Sequence, residues 1–266
     1  MRALDRNSVP YTLGFAAVVC LACAIPIAVA AVSLKPSQLK NQRVDRLSKV
    51  LGVAGLISPG ERLGAEEIER RFEANVVPQA VALRTGEPTD AVDARSYDQR
   101  RAAQDPSQSA SAPPNAARVQ RVPEVGLLYH VVKDAQVQAL ILPIQGYGLW
   151  STMYGYLALE ADGRTVSGIT FYEHGETPGL GGEVENPRWQ GLWRGRKALD
   201  EAGQVKLQVI KGSAGPPERD PYRVDGISGA TITSRGVSNT LDFWLGPSGF
   251  GPYLAKYRAS REGASR

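Results

Sequence analysis

Asp225 to Thr233 reads D-G-I-S-G-A-T-I-T. It presents three hydroxyls, on Ser228, Thr231 and Thr233, with Gly229 and Ala230 among them. Residues this small let another protein's active site approach the backbone closely. Val237, Leu241 and Trp244/Leu245 follow at i, i+4 and i+7/8, the spacing of one buried helix face. Thr233 or Ser234 is then the expected N-cap. A helix N-terminus carries unpaired N–H groups and about half a positive charge, which suits a phosphate. Local chemistry thus allows a phosphate-holding loop in front of a helix, although an ordinary capped turn is the commoner outcome of so loose a pattern.

Composition narrows what such a loop can serve. The chain has 266 residues, 42 % hydrophobic and 22 % charged, room for one sizeable domain with appendages. Its net charge of +4 is too small to argue for nucleic acid. The two cysteines, Cys20 and Cys23, lie in an apolar N-terminal stretch, so the polar body offers no disulfide and no thiolate. With His130 and His174 as its only histidines, a zinc or haem site built from this domain alone is not expected. Redox chemistry would have to come from an organic cofactor. No G-x-G-x-x-G follows a strand, so NADH is not the expected ligand.

Tyr11 to Leu34 is 24 residues without a charge. At 1.5 Å per residue it spans about 36 Å as a helix, enough for a hydrocarbon core of about 30 Å. A signal-peptidase site at Ala28-Val29-Ala30 and a lipoprotein Cys23 are the competing readings. The apolar run is longer than a usual signal core and continues well past Cys23. Lys35, Lys40, Arg43, Arg46 and Lys49 after the helix outnumber Arg2 and Arg6 before it, which by the positive-inside rule puts the body in the cytoplasm.

The spacing predicts a helical stalk over 35–83, with helices near Pro36 to Leu56 and Gly60 to Phe72. Residues 84–122, Ala/Ser/Pro-rich between Asp105 and Arg118, read as a flexible linker or loop. Beyond them Gly126–Lys133, Val137–Pro143 and Gln204–Ile210 read as strands. Tyr154–Glu160 and Thr165–Glu173 read as a hairpin around Ala161-Asp162-Gly163-Arg164. Asn186–Arg194 and Ser234–Leu245 read as helices. The fold class is α+β, a mainly antiparallel sheet flanked by helices behind one transmembrane helix.

D-x-x-S-G-A-T resembles the flavinylation motif of the FMN-binding domain family. G-L-W-S-T-M-Y-G (Gly148–Gly155) and H-G-E-T-P-G-L-G-G (His174–Gly182) are similar to the C subunits of the Na+-translocating NADH:quinone reductases. The resemblance covers the anchor and most of Gly126 to Tyr253. It implies an FMN bound by a phosphoester to Thr231, with Ser228, Gly229, Ala230 and Thr233 around it. Trp150 and Leu180 would stack or pack on the ring. Ser151, Thr152 and Lys211 would make polar contacts, and Gly179, Gly181 and Gly182 would admit it to the backbone. No residue is assigned a catalytic role. For Trp150 a place in the core is an equal alternative; His174 and Glu176 together would suggest a proton relay, but for His174 loop hydrogen bonding outranks it.

The resemblance also implies the setting: a covalent-FMN electron relay within a six-subunit complex that reduces ubiquinone and exports Na+. Its partners would be the other five subunits, above all those designated B, D and E, and a Mg2+-dependent flavin transferase that installs FMN from FAD in the periplasm. Residues 1–10 would then be cytoplasmic, 11–34 a single pass through a bacterial inner membrane, and 123–256 a periplasmic FMN-binding domain before a tail at 257–266. This orientation conflicts with the basic flank. Two rivals stay open: the G subunit of the ion-translocating ferredoxin:NAD+ reductase, and a non-redox periplasmic anion-binding module.

Overall fold

The computed structural model describes residues 8–264 except Pro59, so Arg2 and Arg6 lie outside the described residues. The chain forms two units, one ending at Arg46 and one starting at Leu47. The first is a helix, α1, which begins at Val9 and runs on into the second unit as far as Val53. Pro26 and Pro36 sit inside it without ending it. Leu13, Phe15, Ile25 and Ile27 are among its exposed apolar side chains. Such a surface is stable only against a non-aqueous neighbour, and the stretch is long and apolar enough to cross a membrane.

The second unit is built on a six-stranded sheet in the order β2-β1-β5-β6-β7-β8. Its strands are β1 (Val76–Ala82), β2 (Glu87–Pro88), β5 (Val125–Lys133), β6 (Gln136–Tyr147), β7 (Thr152–Glu160) and β8 (Val166–Glu173). All pairings within it are antiparallel. Helices α5 (Thr231–Leu245) and α6 (Gly251–Ala264) follow, with a short α4 (Pro187–Gly191) earlier. The expected hairpin is β7–β8. Asp162 holds its turn by accepting from the backbone N–H groups of Arg164 and Thr165, each at 2.8 Å.

Both faces of the sheet are covered. Leu140, Leu142, Met153, Leu157 and Leu159 on one face join Val237, Leu241, Trp244 and Phe250 in the main core. On the other, Phe72 of α2 (Ala65–Asn75) meets Tyr129 of β5, and Tyr129 meets Tyr156 of β7. Val53, at the end of α1, packs over Gly168 of β8. Two covered faces explain why the strands read as continuous apolar runs instead of alternating ones.

Several expectations differ from the structure. The stalk reading of 35–83 misses β1, which pairs with β5 along its whole length. Pro78 is tolerated there because β2 reaches only Val81 and Ala82, leaving Pro78 on an open edge. Residues 84–122 are not a featureless linker. They contain β2, α3 (Gln99–Gln104), β3 (Ser109–Ser111) and the start of β4 (Arg121–Pro123), and bury Ala102, Ala103, Ala117 and Val119. Backbone-directed bonds do what large apolar side chains do elsewhere. Asp98 caps α3 through Arg100 and Arg101. Asn115 bonds the main chain of Pro113 and Val119. The carbonyl of Ala117 accepts from the Tyr147 N–H at 2.8 Å.

Gln204–Ile210 contributes only β9 (Gln208–Val209), paired in parallel with β10 (Arg223–Val224). The helix expected over 186–194 shortens to α4, and the expected tail at 257–266 continues α6 through Ala264.

Helix α5 lies unusually close to the end of β6. A Cβ on Gly236 would stand 2.5 Å from the carbonyl oxygen of Tyr147, and one on Gly146 would stand 2.0 Å from the Thr240 hydroxyl. Trp244 adds a bond from its indole N–H to the Gln145 carbonyl at 2.7 Å. Gly236→Ala should therefore cost about 1–3 kcal/mol, because the obstacle is backbone that cannot step aside. Denaturant unfolding of the soluble unit measures it; an unchanged midpoint would show that the helix has slack.

Candidate functional site

The Asp225–Thr231 turn is held at both ends. The Asp225 carboxylate accepts from the Ala214 N–H at 2.8 Å and the Ser213 hydroxyl at 3.1 Å, and its carbonyl accepts from the Trp189 indole at 2.9 Å. Gly226 lies against the Ile210 carbonyl, where a Cβ would come to 2.2 Å. The N–H of Ile227 donates to the Ser234 hydroxyl at 3.1 Å, and the N–H of Ala230 closes the turn on the Ile227 carbonyl at 3.1 Å. Gly229 takes φ +72°, the left-handed conformation that glycine adopts without strain.

Helix α5 starts earlier than its expected cap at Thr233 or Ser234: it begins at Thr231, with Ala230 as N-cap. The reason is that Ser234 spends its hydroxyl on Ile227 and leaves the terminus uncapped by side chains.

The three hydroxyls part ways here. Thr233 is buried and donates to Glu176 at 2.5 Å. Ser228 and Thr231 are exposed, and among the described residues neither hydroxyl has a hydrogen-bond partner. Thr231 stands in the first helical turn, where the N–H groups lack intrahelical acceptors.

Glu176 is the feature that sequence reasoning missed as a structural element. It is 5 % exposed. Its carboxylate accepts the backbone N–H groups of Leu149 at 3.0 Å, Trp150 at 2.9 Å and Ser151 at 3.4 Å, together with the Thr233 hydroxyl. A Cβ on Gly148 would stand 2.6 Å from this carboxylate, and one on Gly181 2.7 Å from it. Gly181 thus makes room for Glu176 and Thr233, not for a ring edge. Gly182 likewise lies against the Thr177 carbonyl, whereas Gly179, at φ +75°, faces open space. The only hint in sequence is a lone acid within a glycine-rich run.

His174 serves the same loop. Its Nδ1 accepts from the Glu176 N–H at 3.2 Å, and its Nε2 lies 3.2 Å from the Glu185 carboxylate. Ser151 also holds the loop, its hydroxyl accepting from the Gly175 N–H at 2.6 Å. Thr152 opens β7 opposite Tyr147. Lys211 is exposed, beside the turn through the Gly226 N–H to Gly212 carbonyl bond at 2.9 Å.

Among the described residues of the second unit, the exposed large apolar side chains are Val77, Leu149, Trp150, Leu180, Leu192 and Ile232. Four of these six stand on segments linked through Glu176: Leu149 and Trp150, Leu180 beside Gly181, and Ile232 beside Thr233 in the first turn of α5. Trp150, at 64 % exposed, is not the core residue its type suggests. Leu180 lies over the turn itself, its Cδ2 2.8 Å from where a Gly229 Cβ would be. Exposed apolar side chains concentrated on linked segments are the kind of surface that ligands or partners cover. Sequence reasoning does not single out Leu149 or Ile232; the signal for Ile232 is an apolar residue off the Val237/Leu241/Trp244 stripe.

Residues 148–246 match the family model "FMN-binding domain". The C subunit of the Na(+)-translocating NADH-quinone reductase of Pseudomonas aeruginosa is 44 % identical over 96 % of this chain and 98 % of its own. The chain belongs to this C-subunit family. The protein of the same name from Vibrio vulnificus is 45 % identical over 96 % of the chain and 97 % of its own. A crystal structure of Shewanella oneidensis NqrC superposes with a TM-score of 0.74 at 33 % identity, covering 82 % of this chain and 99 % of that one. Family membership thus carries both the α+β fold and a place in an oxidoreductase complex.

Burial raises the affinity of Glu176 for a proton, but the Thr233 hydroxyl and three backbone N–H groups outweigh it and hold the carboxyl below its ordinary range. A group whose folded value is depressed contributes stability above its unfolded value and loses it as pH falls through the folded one. The near-UV signal of the Trp150 loop should therefore stay constant from neutral pH to about pH 5 and change only below about pH 4. A midpoint near pH 6 would mean that the carboxyl is not held as described.

Proposed function

We propose that the chain relays electrons through an FMN whose phosphate is esterified to Thr231. The observation that carries this is an exposed hydroxyl in the first turn of α5 without a hydrogen-bond partner among the described residues, with exposed Leu180 over the same turn and exposed Ile232 next to it in the chain. The residues fit the group at both ends. The helix terminus suits the phosphate, and the apolar side chains suit the isoalloxazine ring. Ser228, Gly229 and Ala230 leave the hydroxyl open to a modifying enzyme, and Lys211 and Thr152 supply polar contacts. Once bound, such a phosphoester leaves the ring unmodified and its one-electron chemistry available.

The chain's own residues anchor the group, seat it and bring it no closer to water than the turn allows. Thr231 is an attachment point that does not turn over. The flavin would be installed from FAD by a Mg2+-dependent flavin transferase acting in the periplasm. Helix α1 would hold the second unit at the outer face of a bacterial inner membrane, the apolar stretch being the single pass. Within a six-subunit complex the electrons would arrive from an iron centre in the membrane subunits and leave towards the FMN of the B subunit. The complex would carry them from NADH to ubiquinone and export Na+, and the B, D and E subunits would be the nearest neighbours. Membership of the C-subunit family supports this setting over that of the ferredoxin-linked G subunit.

Co-expression of the chain with the transferase should give a band that fluoresces under ultraviolet light after denaturing electrophoresis. Thr231→Ala should remove that fluorescence completely while changing stability by no more than about 0.5 kcal/mol, because the hydroxyl is exposed and makes no bond in the fold. A fluorescent Thr231→Ala band would move the attachment elsewhere. Protease added to intact spheroplasts should digest the second unit; its protection would place it in the cytoplasm.

A further inference from the structure

Glu176 has more to do than fill a space. A buried carboxylate needs donors on every side, and here the donors come from two segments distant in sequence: the Leu149–Ser151 loop and the first turn of α5 at Thr233. A third, the turn carrying Leu180, packs its Gly181 against the same oxygen pair. Each of the four exposed apolar side chains at the site is on, or one residue from, a group that touches Glu176.

We propose that Glu176 is the positioning residue of the flavin site, one buried carboxylate that fixes the Trp150 loop, the Leu180 turn and the attachment helix relative to one another and so sets the seat of the ring. This rests on the reading of Thr231 given above. The carboxylate does a second thing that shape alone does not. Its fixed negative charge, removed from bulk water, would hold down the potential of a flavin bound at this site.

The two effects separate in two variants. Glu176→Gln keeps the shape, removes the charge and turns an NH2 group towards N–H donors. Glu176→Asp keeps the charge but withdraws it by one methylene. Hydrogen exchange on the protein without flavin reads the positioning: the amides of Leu149, Trp150 and Ser151 should exchange about tenfold faster in both variants, with the β6–β7 ladder unchanged. Titration of the flavinylated full-length protein with dithionite and mediator dyes reads the charge: the midpoint should move positive in Glu176→Gln and by much less in Glu176→Asp. Unchanged exchange at 149–151 overturns the positioning role, and equal potentials in all three proteins overturn the charge role.

Should Glu176→Gln fail to fold, Thr233→Val removes a single donor. Exchange at 149–151 should still rise, and no rise overturns the proposal. A bare Thr231 in wild-type protein would end the flavin reading but leave the exchange result to judge Glu176.

Discussion

Taking a carboxylate out of water is costly unless hydrogen-bond donors replace the lost solvation. Glu176 meets that demand with three consecutive backbone N–H groups and one hydroxyl. The demand then propagates. Consecutive N–H groups can point at one oxygen pair only if the Gly148–Ser151 segment curls around it. The curl needs glycine at 148, the neighbouring turn needs glycine at 181, and the hydroxyl must be a buried Thr233 in the first turn of α5. The two motifs and helix α5 are thus parts of one hydrogen-bonded object.

That object is rigid because the helix behind it is. Val237, Leu241 and Trp244 are fully buried in α5, and Gly236 lets the helix lie on the backbone of Tyr147 and Gly148. Side chains that must be apolar and yet exposed, such as Trp150 and Ile232, are energetically unhelpful to a free-standing domain. The fold tolerates them on a frame fixed by interactions elsewhere. Local preference is set aside at these exposed positions, while the scaffold follows ordinary rules.

The parts of this frame that depend on local pattern are legible in the sequence. The buried stripe of α5, the β7–β8 hairpin with its Asp162-Gly163 turn and the apolar α1 all follow from periodicity and turn chemistry. The Asp225–Thr231 turn draws attention only through the resemblance its motif carries, since a small-residue loop before a helix is otherwise ambiguous. Features that depend on contacts between distant segments are not legible. Glu176 stands out in sequence only as a lone acid in a glycine-rich run beside His174, and its role as an acceptor emerges when Leu149 and Thr233 come together around it. The 84–122 segment looks disordered because composition counts large apolar side chains, whereas Asp98, Asn115 and Ala117 order it through the backbone. The start of α5 is misplaced in sequence because Ser234, a good cap by type, bonds Ile227 instead.

The proposed relay depends on the bond between Thr231 and a flavin phosphate. Its most direct test is peptide mapping by mass spectrometry of the wild-type chain produced with its flavin transferase. The expected result is that the peptide containing Ser228-Gly229-Ala230-Thr231 carries a flavin mononucleotide and that fragmentation assigns the added mass to Thr231. The same peptide recovered unmodified, or with the mass on Ser228, would contradict it.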